Sequence, residues 1–145
     1  MQDLPHHYAV SASADTQSHV VISSKGLPSL DTAAPAEFGG PGDVWSPETL
    51  LVATVANCFV LTLRAIARAS RLEWESLNCD VSGTLEKIEG VTQFTRFDVT
   101  ALLTAPAGTD EKKAHRLLEK ADRHCLITNS LKAETHLNAK VRLGA

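Results

Sequence analysis

The chain has 145 residues, 43% of them hydrophobic and 21% charged, with a net charge of −3. That length gives one domain with room for a real core, and the composition excludes a disordered chain. The mild acidity offers no basic face to nucleic acid or to an anionic membrane, so neither is expected as a partner.

The first ten residues have no basic start and no apolar run. No signal peptide is expected, and the expected location is the cytoplasm. Residues 8–14 alternate, with Tyr8, Val10, Ala12 and Ala14 on one side, and predict a strand. Residues 15–18 read as a turn and 19–24 as the returning strand of a hairpin. A loop rich in Pro, Gly and Ala follows over 32–43. Within it, Gly39-Gly40-Pro41-Gly42 lacks the Lys-Ser/Thr of a phosphate loop and predicts a tight turn.

Ser46-Pro47-Glu48 predicts a helix start, with Ser at the N-cap, Pro at the first helical position and an acid in the first turn. From 50 to 69 the chain is apolar almost all round, and such a helix is buried. Asn57 and Arg64 interrupt it, which weakens its reading as a membrane span. The prediction is a long central helix wrapped by sheet or by a second subunit.

Leu77, Cys79 and Val81 then alternate with Asn78, Asp80 and Ser82, which predicts a strand. Glu89-Gly90 marks a turn. Residues 91–103 predict a second strand, with Phe97, Val99, Ala101 and Leu103 inward and Arg96 and Asp98 outward. Residues 110–123 predict an amphipathic helix with Ala114, Leu117, Leu118 and Ala121 on its buried stripe. Residues 124–131 form a short apolar segment of one or two helical turns. Leu137, Ala139, Val141 and Leu143 mark a last strand. Strands and helices are segregated rather than alternating, so the fold class is α+β in a single domain over 1–145.

The chemistry centres on three cysteines, Cys58, Cys79 and Cys125. An odd, small number argues against a disulfide framework, and the thiols are expected free at rest. Taken alone, Cys58 reads as a small apolar core residue, and so does Cys79 on the apolar side of its strand. Cys125 differs. It follows His124 and the charged helix end of Lys120, Asp122 and Arg123, and it opens a new helical turn whose dipole would lower its pKa. It can pair with Cys58 only where the Cα atoms come within roughly 4.4–6.8 Å, which spacing leaves open. The six histidines include no His-x-x-x-His pair, and there is no Cys-x-x-Cys, so no metal site and no cofactor are expected.

The segment Phe38-Gly39-Gly40-Pro41-Gly42-Asp43-Val44-Trp45-Ser46-Pro47-Glu48-Thr49-Leu50-Leu51, followed by Ala56-Asn57-Cys58-Phe59, resembles the (Asn/Ser)-Pro-Glu…Cys-Phe signature of the OsmC/Ohr superfamily. Cys125 in His124-Cys125-Leu126-Ile127-Thr128-Asn129-Ser130 resembles its second signature. The resemblance covers nearly the whole chain in element order. It implies an OsmC-like fold, with an antiparallel sheet around the central helix, in an intertwined homodimer. It also implies a peroxidase of organic hydroperoxides that needs no metal or flavin. Cys58 would become a sulfenic acid, Cys125 would condense with it to a disulfide, and a dithiol, possibly lipoyl, would reduce that disulfide. Glu48 would stand in the site, where the family pairs it with an N-terminal Arg. This chain has no Arg before Arg64, and Lys25 is the one Lys or Arg in the first 63 residues, which makes it the candidate activating cation. The alternatives are a non-catalytic dimer of the same fold that binds small ligands or senses redox state, and a structural dimer with core cysteines only.

Overall fold

Three short strands precede the first long helix: β1 (Ser11–Ser13), β2 (Val20–Ser23) and β3 (Leu30–Thr32). In the computed structural model, which describes residues 1–145, they form an antiparallel sheet in the order β1-β2-β3. The expected hairpin is β1–β2. Its turn is tied by Asp15, whose Oδ1 accepts the N–H groups of Gln17 and Ser18 at 2.8 and 2.7 Å. The sequence pattern does not reveal β3, since three residues are too few to show an alternation. Thr32 at its end bridges Trp45, and the Ala33 N–H donates to the Trp45 carbonyl at 3.0 Å.

Helix α1 (Pro47–Ala69) starts where the sequence predicts. Ser46 Oγ accepts the Thr49 N–H at 3.1 Å, and the Ser46 N–H donates to Thr49 Oγ1 at 2.9 Å. This is the reciprocal logic of a capping box, with Thr in place of Glu or Gln. Residues Met1–Leu50 form one compact unit and Leu51–Ala145 a second.

In the second unit, the body of α1 is followed by β4 (Ser76–Ile88), β5 (Val91–Ala105), α2 (Glu111–His124), α3 (Leu126–Asn129) and β6 (Glu134–Leu143). Strands β4 and β5 pair antiparallel through the Glu89-Gly90 turn. Both turn residues have positive φ, 50° and 80°, as a tight hairpin with strand-matching twist requires. Strand β6 lies parallel to β5, so the expected antiparallel sheet is here a mixed one. The cause is α2 and α3, which carry the chain back to its starting edge as a crossover.

One face of this sheet holds the core. Phe97, Val99, Ala101 and Leu103 of β5 meet Val55, Phe59, Leu63 and Ala67 of α1 and Ala114, Leu117, Leu118 and Ala121 of α2. Each large apolar side chain buried there contributes about 1.5–3 kcal/mol. Helix α1 is long and apolar enough to cross a bilayer, yet its four fully buried residues recur every fourth position and pack on sheet. The remaining surface of α1 is not covered within the chain. Leu61 is 51% exposed, and Thr54, Ala65 and Arg68 beside it are exposed too. The all-round burial expected of this helix is therefore met along one stripe.

A bulge at Thr95 breaks the β4–β5 register between Thr84 and Leu85. Residues three apart on a regular strand face opposite ways, but the extra residue puts Phe94 and Phe97 on one side. Their rings stack with centroids 5.3 Å apart. Gly83 sits under them, where a Cβ would come 2.9 Å from both Phe94 Cε1 and Val52 Cγ2.

Candidate active site

Cys58 lies midway along α1, half-buried between the core stripe and the exposed face. Thr62, one turn further, places its hydroxyl 3.8 Å from the sulfur. Cys125 arrives from the other side. It ends α2 and starts α3, with an extended backbone at φ −67° and ψ 106° that interrupts the helical path. Its carbonyl is held by the Asn129 N–H and the Thr128 hydroxyl, both at 3.0 Å. The interruption leaves the N–H groups of Leu126 and Ile127 and the Cys125 thiol near enough to Cys58 to act on its acidity.

The electrostatics of the pair are unequal. Burial pushes Cys58 up, but the Ile127 N–H, the Cys125 thiol, the Thr62 hydroxyl and the Leu126 N–H together outweigh it, so the Cys58 pKa is lowered. Cys125 is 2% exposed, and burial raises its pKa. Thr128 opposes that rise through its N–H and hydroxyl, while the Cys58 sulfur adds to it. The dipole effect expected at Cys125 thus falls on its neighbour. Two neighbouring thiols whose pKa values are pushed apart are suited to separate roles.

Cys79 behaves as a core thiol. It faces inward from β4, packed against the core, and its pKa is pushed up to about 11, first by burial and then by the charges of Asp80 and Cys125. Glu48 lies in the first turn of α1, and its Oε2 is buried without a hydrogen-bond partner. Lys25 is exposed in a turn closed by the Leu27 N–H on the Ser24 carbonyl, followed by Gly26 at φ 78°. The groups that lower Cys58 are neutral donors, and all belong to the second unit.

A surface cavity of about 680 Å³ opens over Cys58. Its walls come from α1, the end of α2 and the start of α3, and are mainly apolar, with Leu61, Ile66, Leu126 and Ile127 prominent. Such a size and lining suit a small apolar ligand with its reactive group near the thiol. Sequence reasoning missed the Leu126 and Ile127 amides, because backbone donors leave no mark in residue type. Thr62 was within reach of it: a hydroxyl at i+4 from a helical thiol shares its face.

Residues 40–140 match the family described as OsmC-like protein. The Bacillus subtilis protein YmaD is 31% identical over 115 residues, covering 76% of this chain and 77% of YmaD. Among solved structures, an OsmC-like protein from Vibrio cholerae superposes with a TM-score of 0.83 at 19% identity, over 93% of this chain and 99% of that one. An organic hydroperoxide resistance protein, OsmC, from Legionella pneumophila gives a TM-score of 0.69 at 25% identity, over 96% and 98%. A family match across 101 of 145 residues, with the same α+β architecture in the solved structures, makes this chain a member of the OsmC-like protein family.

Proposed function

We propose that the chain is a thiol peroxidase that reduces organic hydroperoxides. The observation that carries this reading is the pair of neighbouring thiols of unequal acidity, Cys58 and Cys125, of which Cys58 lines an apolar cavity. The Cys58 thiolate attacks the terminal peroxide oxygen, the O–O bond breaks, and the alkoxide leaves as alcohol after taking a proton. Cys58 is then a sulfenic acid. The Cys125 sulfur attacks it, water leaves, and a Cys58–Cys125 disulfide forms before further oxidation of Cys58. A dithiol returns both to thiols by exchange. The relationship to a hydroperoxide resistance protein supports this reading.

The same proposal makes the protein a homodimer. Leu61 and Ala65 leave apolar surface of α1 uncovered among polar residues, which a second copy would bury. Glu48 would then serve the Cys58 of the partner. On one unbroken helix the two lie ten residues apart, about 15 Å, beyond the reach of a Glu side chain. The unpartnered Glu48 Oε2 would accept a donor there.

The test is one equivalent of cumene hydroperoxide followed by mass spectrometry under non-reducing conditions. The reading requires peroxide loss and a Cys58–Cys125 disulfide. Unconsumed peroxide with all three thiols intact would leave a ligand-binding protein of this fold instead.

A further inference from the structure

Helix α2 separates its charges. At about 100° per residue, Lys112, Lys113, Arg116, Lys120 and Arg123 fall within one third of its circumference, and Glu111, Glu119 and Asp122 on the other flank. The acidic flank turns to β6, where Glu119 and Asp122 line a cavity with His136. The basic flank turns to α1. There the Lys113 Nζ donates to the Ser70 carbonyl at 2.8 Å, and Lys120 lines the cavity of Cys58, which no Asp or Glu lines. Lys120 forms no ion pair within the chain.

The complementary charge lies in the first unit. Residues 1–50 carry six acidic side chains against one lysine, whereas 51–145 carry eleven against thirteen Lys and Arg. One of the six, Glu48, has a carboxylate oxygen buried without a hydrogen-bond partner. Two α1 helices related by a twofold axis across them run antiparallel. Facing positions then step in opposite directions along the two chains. A Glu48 set beside the partner's Cys58 therefore puts Trp45, three residues earlier, over the partner's Leu61, three residues later. Trp45 is 48% exposed and Leu61 51%. The arrangement that joins carboxylate to ammonium is thus the one in which two bare apolar side chains cover each other.

We infer that the thiol cavity of each copy is completed by residues 45–48 of the other, with Lys120 as the positioning residue that pairs with the partner's Glu48. This rests on the dimer of the proposed function and not on its peroxide chemistry. Paired with Lys120, the carboxylate reaches the thiol with its charge offset. Bared, it would hold the proton on Cys58.

The experiment follows Cys58 alkylation by iodoacetamide against pH, at concentrations where analytical ultracentrifugation finds each variant dimeric. Neither measurement needs turnover. Lys120→Gln should move the labelling profile to higher pH and slow labelling near neutral pH about threefold. Lys120→Arg should match the parent. Adding Glu48→Gln to Lys120→Gln should return the profile toward that of the parent, a recovery that lost packing alone would not give. A monomeric parent overturns the dimer reading and this inference together. A dimer whose labelling ignores Lys120→Gln, or in which Glu48→Gln brings no recovery, overturns the inference and leaves the dimer standing.

Discussion

Cys58 and Cys79 start from the same disadvantage. Each is half-buried beside the core, and burial is the largest influence on each sulfur, raising its pKa. They end on opposite sides of the ordinary value of 9.0. Cys58 is lowered, while Cys79 rises to about 11. The difference lies in what meets the sulfur. On α1, two backbone N–H groups, a hydroxyl and a second thiol converge on it. On β4, the sulfur faces apolar packing and the charges of Asp80 and Cys125. Desolvation alone makes an inert thiol, and desolvation with fixed donors makes a nucleophile.

The largest expected effect follows directly. Cys58→Ser should abolish hydroperoxide consumption, while Cys79→Ser should keep nearly all of it, in a peroxide-disappearance assay on both variants. Equal losses would remove the distinction between the two thiols. A smaller and more particular effect is expected of Cys125→Ser. This variant should consume about one peroxide per subunit and then stop, even with a dithiol present. Cys58 should accumulate as sulfenic or sulfinic acid, read by mass spectrometry. Sustained turnover would show that Cys125 is not needed to resolve the intermediate. The finest measurement is the pH dependence of alkylation. Below its own pKa each thiol is protonated and slow. Cys58 labelling should therefore accelerate at a pH below 9.0, whereas Cys79 should resist until the pH approaches 11. Superimposable curves would contradict the assigned surroundings of both.

Much of the scaffold is legible in the residue pattern. Ala114, Leu117, Leu118 and Ala121 of α2 and the alternating Phe97, Val99, Ala101 and Leu103 of β5 lie in the core as their periods require. Those signals work because one face of each element is apolar and the other is not. Helix α1 lacks that contrast, so its sequence reports burial without saying which side the chain itself covers. The direction of β6 is also silent, since alternation is the same in parallel and antiparallel pairs. The 28 residues between β5 and β6, most of them helical, were the available clue to a crossover. At the site, the motif located Cys58 and Cys125, but not the reversal of their acidities. That depends on where the chain turns at Cys125, and hence on which sulfur the Leu126 and Ile127 amides find.

Gly83 matters by what it leaves out. The space above it is taken by Phe94, Phe97 and Val52, the last of these on α1, six residues before Cys58. A single methyl group there would collide with backbone-anchored neighbours on both sides, and the yielding part would be either the stacked rings or the helix. This one position on β4 therefore acts as a shim. Its thinness sets the clearance between sheet and helix, and through the rigid rod of α1 it sets the height at which the Cys58 sulfur is presented to the amides across from it.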